Sequence, residues 1–382
     1  MSVSPENWGP HAIVEDVVVT PLFLLRNALR LQRLWATWSV RRGRRTVYGP
    51  HPAVCLTDMP IAAFIEAGKK RAAKGEAMSA FSIVLPKDHV HAAGARPAIY
   101  GLSVDVILPR GDECGSRILP DAVLPEAEQY RYVTLGDYGK VDWTHEREWR
   151  WPCRDEPTDP QDIPPLDGKD VPGLDLTFPG MGVIVRTQEQ AHKILHDILV
   201  LNDMHSSNSY DFILVADSIS DLPALRDPGK VRHVLTAASI DLESIIFVTK
   251  TDRILWLAKY NKAVSDVSTE KLPKMGREIG GCWLWLTDAA HPLTRALVAE
   301  GVVHINQDGR YLVDVPFDKD LPLSVREELA RRLAALLRSR HQQSATYHSV
   351  LGKFGWDDIP SYSNPPLENR LIFNYAHDDD DR

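Results

Sequence analysis

Apolar and polar positions along this chain alternate between two spacings, and the places where the spacing changes predict the elements. Residues 17–20 (Val-Val-Val-Thr) read as a short buried strand, and Pro21 behind them suits a helix start. From 22 to 38 the apolar residues recur every three or four positions, which predicts a helix with Arg26, Arg30 and Arg33 interleaved. Residues 53–57 predict a strand and 61–74 a second helix. Four further strands are expected at 81–85, 98–108, 130–135 and 142–151. The first 150 residues therefore read as α+β.

Residues 154–180 are dense in Pro, Asp and Gly without periodicity, as in a long loop, linker or lid. Beyond them the pattern predicts strands at 182–186, 212–216 and 245–249, and helices at 188–202 and 253–265. The second of these strands delivers Asp217 at its end, where open sheets place ligands and where an Asx turn is equally ordinary. A polar and basic stretch at 266–280 is a second candidate linker. It precedes a strand at 281–287, a helix at 293–300 and a hairpin of 302–306 with 311–315 around Gln307-Asp308-Gly309. An amphipathic helix at 324–340 would take Ser324 as N-cap and Glu327 as its capping-box partner. The expected domains are a core over 1–152, a linker or lid with an α/β continuation over 153–265, and an accessory domain over 280–382.

Composition narrows the class. A chain of 382 residues is too long for one average domain, so two are expected, with three as the alternative. Hydrophobic content of 44% and charged content of 25% are those of a globular protein. A net charge of -8 argues against a wholesale electrostatic nucleic-acid binder while leaving room for a local basic patch. No apolar run reaches the roughly 18 residues of a membrane span, and the polar first ten residues lack a secretory signal pattern. A cytoplasmic protein without a membrane partner is expected. Cys55, Cys114, Cys153 and Cys282 form no C-x-x-C pair and the histidines form no H-E-x-x-H, so no metal site is expected.

Residues 142–151 carry the most chemistry. On a strand, Asp142, Thr144, Glu146, Glu148 and Arg150 share one face and the aromatic residues the other. A Glu-x-Glu pair presented this way suits reaction at a sugar C1, where one carboxylate steadies an oxocarbenium cation and the other steers the nucleophile. A solvent-facing edge strand with a Glu-Arg ladder would show the same pattern. The phosphate-loop and Gly-x-Ser-x-Gly signatures are missing, which removes the motif-based case for a Rossmann dehydrogenase, a P-loop ATPase or an α/β-hydrolase. A basic loop at 41–45, with Arg44 and Arg45, could hold a pyrophosphate or an RNA backbone, or could simply be solvated. Thr57 and Asp58 could bind a ligand, although Asp58 before Met59-Pro60 is more economically a helix N-cap. A magnesium nuclease using Glu146, Glu148 and Asp217 is a further possibility, with Asp217 remote in sequence.

Three stretches carry a resemblance. They run from Tyr48-Gly49-Pro50-His51-Pro52 through Cys55-Leu56-Thr57-Asp58, from Gly94 to Gly101, and over Trp143-Thr144-His145-Glu146-Arg147-Glu148-Trp149-Arg150-Trp151. Together they resemble the AbiGi-type abortive-infection family of phage-resistance proteins, which looks like a divergent branch of the ADP-ribosyltransferase superfamily; the likeness covers about residues 17–152. It implies an α+β fold with an ADP-ribosyltransferase-like split β-sheet core, to which the rest of the chain would add a smaller C-terminal α/β domain. It also implies NAD as substrate, a nucleic acid or protein as acceptor, and a phage trigger or cognate partner protein. By the same resemblance Glu148 would be the catalytic glutamate on the nicotinamide ribose, Glu146 the upstream residue of that motif, and Thr57 a wall of the nicotinamide pocket. Tyr48 or Tyr100 would stack on nicotinamide, and Arg44 and Arg45 would hold the dinucleotide. The sequence departs from the pattern at residues 17–20, which carry neither Arg nor His; His11, Arg26 or the 41–45 stretch would have to substitute. The alternative is a catalytically inactive core serving as sensor or neutralising partner in a defence system.

Overall fold

The computed structural model describes residues 21–41, 44–73, 81–103, 117–135, 142–154, 172–205, 209–270, 272 and 276–358. The expected strand at 17–20, most of the 154–180 loop and the acidic tail lie outside them. The protein is mixed α+β. It forms two compact units, the first comprising residues 1–191, 212–240 and 373–382, the second residues 192–211 and 241–372. Residue 152 falls inside the first unit, and the 153–265 span contributes to both.

The first unit opens with α1 (Pro21–Arg30), β1 (Arg33–Trp35), β2 (Val40–Arg41), β3 (Arg44–Arg45), β4 (Ala53–Thr57) and α2 (Ile61–Ala72). The helix expected through 38 ends early because Gln32 takes a left-handed φ of 49° and turns the chain into a strand. Next come β5 (Ser82–Val84), α3 (Lys87–Ala92), β6 (Arg96–Pro97) and β7 (Ile99–Tyr100), followed by β8 (Tyr132–Val133) and β9 (Glu148–Pro152). The long strand expected over 98–108 is described only at its start, and the one over 130–135 begins as the end of a 3-10 turn, Glu126–Arg131. After β10 (Gly173–Asp175) and β11 (Met181–Val185), α4 (Gln188–His205) and β12 (Tyr210–Val215) each cross a unit boundary; α5 (Val231–Ala237) and β13 (Ser239–Asp241) follow.

Two sheets organise this unit. One has the order β4-β9-β6, with antiparallel pairing of β9 to both neighbours. The other runs β13-β12-β11-β5. Over the second lies α2, whose Ala62, Phe64 and Ile65 join Ile184 and Leu214 in one apolar cluster, so the helix is fixed by its buried stripe.

The second unit contains α6 (Leu242–Ile246), α7 (Lys250–Ser265), β14 (Gly280–Leu286), α8 (Pro292–Ala299), β15 (Val303–Ile305), β16 (Tyr311–Asp314), α9 (Leu323–His341) and β17 (Ala345–Leu351). The strand expected at 245–249 does not form: Ile245 and Ile246 end α6, and residues 247–249 link it to α7. Asp241 accepts from the Glu243 N–H and Thr249 from the Asp252 N–H, so each of these helices has its own cap. The last four strands make one antiparallel sheet, β15-β16-β14-β17, and the expected hairpin pairs Val303 with Val313. α9 starts behind Pro322 rather than Ser324, and Glu327 accepts from the Ser349 hydroxyl at 2.6 Å instead of closing a capping box. Inside the unit Arg295 makes a bidentate pair with Asp203 at 2.6 and 2.8 Å, and the Tyr311 hydroxyl donates to the same carboxylate at 2.8 Å.

Candidate functional site

The β4–β9 ladder pairs Thr57 with Glu148 and Cys55 with Arg150. Partners across an antiparallel pair share a face, and alternation keeps Glu148 and Arg150 together, so these four side chains form one polar cluster. The sequence expectation placed Glu146 on this face as well, and that is corrected. Residues Thr144–Glu146 form a single 3-10 turn, Arg147 is left-handed at φ 48°, and the strand begins only at Glu148. Asp142 starts the turn by accepting from the Thr144 N–H and hydroxyl at 2.8 and 2.6 Å, bonds that hold its carboxyl below the usual carboxylate range. The local preference of Asp-x-Thr for such a turn outweighs the strand pattern.

Thr57 ties the turn back to the ladder. Its hydroxyl donates to the Glu146 carbonyl at 2.6 Å and accepts from the Met59 N–H at 3.1 Å, while the Asp58 N–H donates to the Arg147 carbonyl at 3.1 Å. The Glu146 carboxylate points to α2 and pairs with Arg71 at 2.8 Å. Asp58 is not a cap: α2 begins behind Pro60 without a side-chain cap, and Asp58 instead pairs with Lys87 at 2.6 Å and Arg147 at 3.1 Å.

Glu148 is the most closely held member. Arg150 Nε donates to Glu148 Oε1 at 2.7 Å, and Arg150 Nη1 donates to the carbonyls of Tyr130 and Tyr132 at 2.8 and 3.2 Å. The Arg150 side chain is 3% exposed and that of Glu148 18%, so a buried cation faces a carboxylate that still meets solvent. The Cys55 thiol also hydrogen-bonds to Glu148; burial and that carboxylate push it up to about 12, so it stays a protonated donor. The Glu148 N–H donates to the Tyr100 hydroxyl at 2.6 Å. Burial raises the Tyr100 phenol, and the charges of Glu148 and Glu146 add to the effect.

The other expected site residues lie elsewhere. Tyr48 is fully buried, edge-on to Tyr132 with ring centroids 4.9 Å apart and with the Arg117 guanidinium 4.3 Å from its ring centre. Its ring is occupied, which rules out stacking on an incoming heterocycle in this conformation, and burial pushes its phenol up to about 12. Of the basic stretch at 41–45, residues 42–43 lie outside the described residues, and β2 and β3 on either side pair antiparallel, Arg41 with Arg44 and Val40 with Arg45. The Arg45 guanidinium lies 4.4 Å from the centre of the Trp38 ring, and the side chain of Arg44 is outside the described residues. Asp217 sits in a 3-10 turn after β12, 3.9 Å from Lys69 and 3.8 Å from Arg186. Among the described residues no group of three His, Cys, Asp or Glu is placed to hold a metal ion, so Asp217 does not join Glu146 and Glu148 in one. The sequence assigns no role to Cys55 or Arg150, which the structure places on Glu148. Their signal was the alternation itself, which places Cys55-x-Thr57 and Glu148-x-Arg150 on single faces.

Residues 252–375, about a third of the chain, match the model of a family of proteins of unknown function, DUF4427. No curated protein and no solved structure matches the chain. No helix among the described residues is long and apolar enough to cross a membrane.

Proposed function

We propose that the first unit is an ADP-ribosyltransferase-like core that splits NAD at the nicotinamide–ribose bond and passes ADP-ribose to a nucleic acid or protein, as a toxin or anti-phage effector in the cytoplasm. The observation that carries this reading is the partly exposed Glu148 carboxylate, oriented by a buried arginine and a protonated thiol opposite Thr57. A carboxylate fixed before the reaction begins stabilises a cation that forms beside it without reorganisation cost. In the proposed step the C–N bond breaks and its electron pair leaves with neutral nicotinamide. Glu148 stabilises the cation at C1′, and the acceptor oxygen or nitrogen closes the new bond. The acceptor proton passes to Glu146, which must first loosen its pair with Arg71. Tyr100, accepting from the Glu148 N–H, retains its own proton for donation to the ribose. The second unit then serves to recognise a partner or a phage trigger.

A second reading is favoured by one feature: both carboxylates already have arginine partners, Arg71 for Glu146 and Arg150 for Glu148. That suits an inactive core acting as a sensor or neutralising protein. Adenylate-labelled NAD, incubated with the purified protein and a total cell extract, separates the two. Label fixed to macromolecules by the wild type and not by Glu148→Gln supports transfer. Label that stays on NAD in the presence of extract from phage-infected cells supports the inactive core.

A further inference from the structure

The two arginine–glutamate pairs of the site differ in how firmly they are held. Arg150 is 3% exposed and is also bonded to the carbonyls of Tyr130 and Tyr132, so its pair with Glu148 is fixed. Arg71, in the last turn of α2, and Glu146, in the 3-10 turn before β9, meet at 2.8 Å with side chains 25% and 29% exposed. A pair open to solvent on both sides contributes little stability and exchanges partners readily, whereas a buried one does not. Glu146 also belongs to the surroundings of Glu148. Burial raises the Tyr100 phenol, and the charges of Glu148 and Glu146 each raise it further, so one hydroxyl stands within electrostatic reach of both carboxylates. That hydroxyl accepts from the Glu148 N–H at 2.6 Å.

A dinucleotide brought to Glu148 carries an anionic diphosphate. The two carboxylates repel it, so a cation must meet it there. Arg150 cannot leave its carbonyls. Arg147 and Lys87 share Asp58, and Lys87 lies 5.0 Å from the centre of the Trp149 ring, which alternation along β9 puts on the face opposite Glu148. Arg71 is the cation held on the site's own carboxylate by an exchangeable pair. A guanidinium grips phosphate oxygens through two parallel charge-assisted bonds, a stronger hold than a half-exposed pair with one carboxylate oxygen.

We infer that Arg71 is the diphosphate-binding residue of the proposed NAD site and that it exchanges Glu146 for the diphosphate as the dinucleotide enters. The inference rests on the transferase reading above. The same exchange releases the Glu146 carboxylate to take the acceptor proton, so the base is set free only with the dinucleotide in place. The test is a binding cycle on the full chain with ADP-ribose, which keeps the diphosphate and has no nicotinamide bond to split. Isothermal titration calorimetry compares the wild type, Arg71→Gln, Glu146→Gln and the double variant, and thermal melts establish that each is folded. Arg71→Gln should weaken ADP-ribose at least about tenfold, as loss of a charged hydrogen-bonding partner requires. Glu146→Gln should tighten it by up to about fivefold, because Arg71 then leaves no carboxylate behind. With Arg71 already replaced, the Glu146 substitution should change affinity less than about twofold. A merely structural pair would make both single variants bind more weakly. Arg71→Gln that binds like the wild type, Glu146→Gln that binds more weakly, or equal tightening with and without Arg71 would each overturn the proposal. So would a wild type that binds no ADP-ribose: if it still splits NAD, the exchange falls alone, and if it does not, the transferase reading falls too. Affinities that follow the cycle without NAD splitting would uphold the exchange and refute the transferase step.

Discussion

Arg150 donates through Nε to Glu148 Oε1 at 2.7 Å, two residues away on the same face of one strand. The guanidinium is buried and also bound to two main-chain carbonyls, so it cannot turn to solvent if the glutamate is lost. Breaking one side of such a pair strands a buried charge and costs about 3–5 kcal/mol. We therefore expect Glu148→Leu to destabilise the protein by an amount near the lower end of that range, because Glu148 keeps some exposure. The double variant Glu148→Leu/Arg150→Met should lose clearly less than the sum of the single losses. Urea unfolding of the four proteins measures this coupling, and strict additivity would contradict the pairing.

The left-handed backbone at Arg147 separates the two glutamates. Glycine adopts φ near +48° freely, whereas a β-branched residue there is strained by about 1–2 kcal/mol. Arg147→Gly and Arg147→Val both lose the exposed contact with Asp58, so that loss cancels in their difference. The glycine variant should be the more stable by about 1–2 kcal/mol. Equal stabilities would mean that the chain passes from Glu146 to Glu148 without this turn.

His348 supplies a pH dependence in the second unit. It is stacked on Trp283 with centroids 5.8 Å apart, and Arg310 Nη1 lies 3.4 Å from its Nδ1. Burial first, and then the Arg310 charge, lower it from an ordinary 6.5 to about 4. Between those values the unfolded chain binds a proton that the folded chain refuses, so stability is full above about pH 6.5 and falls on acidification toward pH 4. The loss should be about 3 kcal/mol at most. Chemical denaturation at pH 7 and pH 4.5 should show a smaller acid loss for His348→Gln than for the wild type; equal losses would contradict the assignment.

The Asp203–Arg295–Tyr311 cluster ranks three substitutions. Tyr311→Phe removes one hydrogen bond to a charged acceptor, at a cost of about 1.5–3 kcal/mol. Asp203→Leu and Arg295→Met each leave a buried charge alone and should cost about 3–5 kcal/mol. Denaturant midpoints in the reverse order would refute the bidentate pair.

Local patterns foretold what local forces decide. β4, α2, β11, α4, α8 and the β15–β16 hairpin lie within a few residues of where spacing placed them. The misjudged segments are those where a single side chain or φ value outweighs periodicity: Gln32 ends α1, Asp142 turns the chain before β9, and the helices capped by Asp241 and Thr249 leave the apolar run at 245–249 as the end of one and the link to the other. The site was legible as residues and not as geometry. Glu148 opposite Thr57 follows from a register that only the paired strands define, and the partners of Tyr48 and Asp58 come from segments distant in sequence.

Nicotinamide release tests the central claim most directly. Purified wild type, Glu148→Gln and Thr57→Val would be incubated with NAD and a mixed-sequence RNA, and free nicotinamide followed by chromatography. The account predicts release by the wild type, a loss of at least about 10²-fold in Glu148→Gln, whose amide oxygen still accepts from Arg150 and whose fold is checked by circular dichroism at the assay temperature, and an intermediate loss in Thr57→Val. Release by Glu148→Gln at the wild-type rate would contradict it.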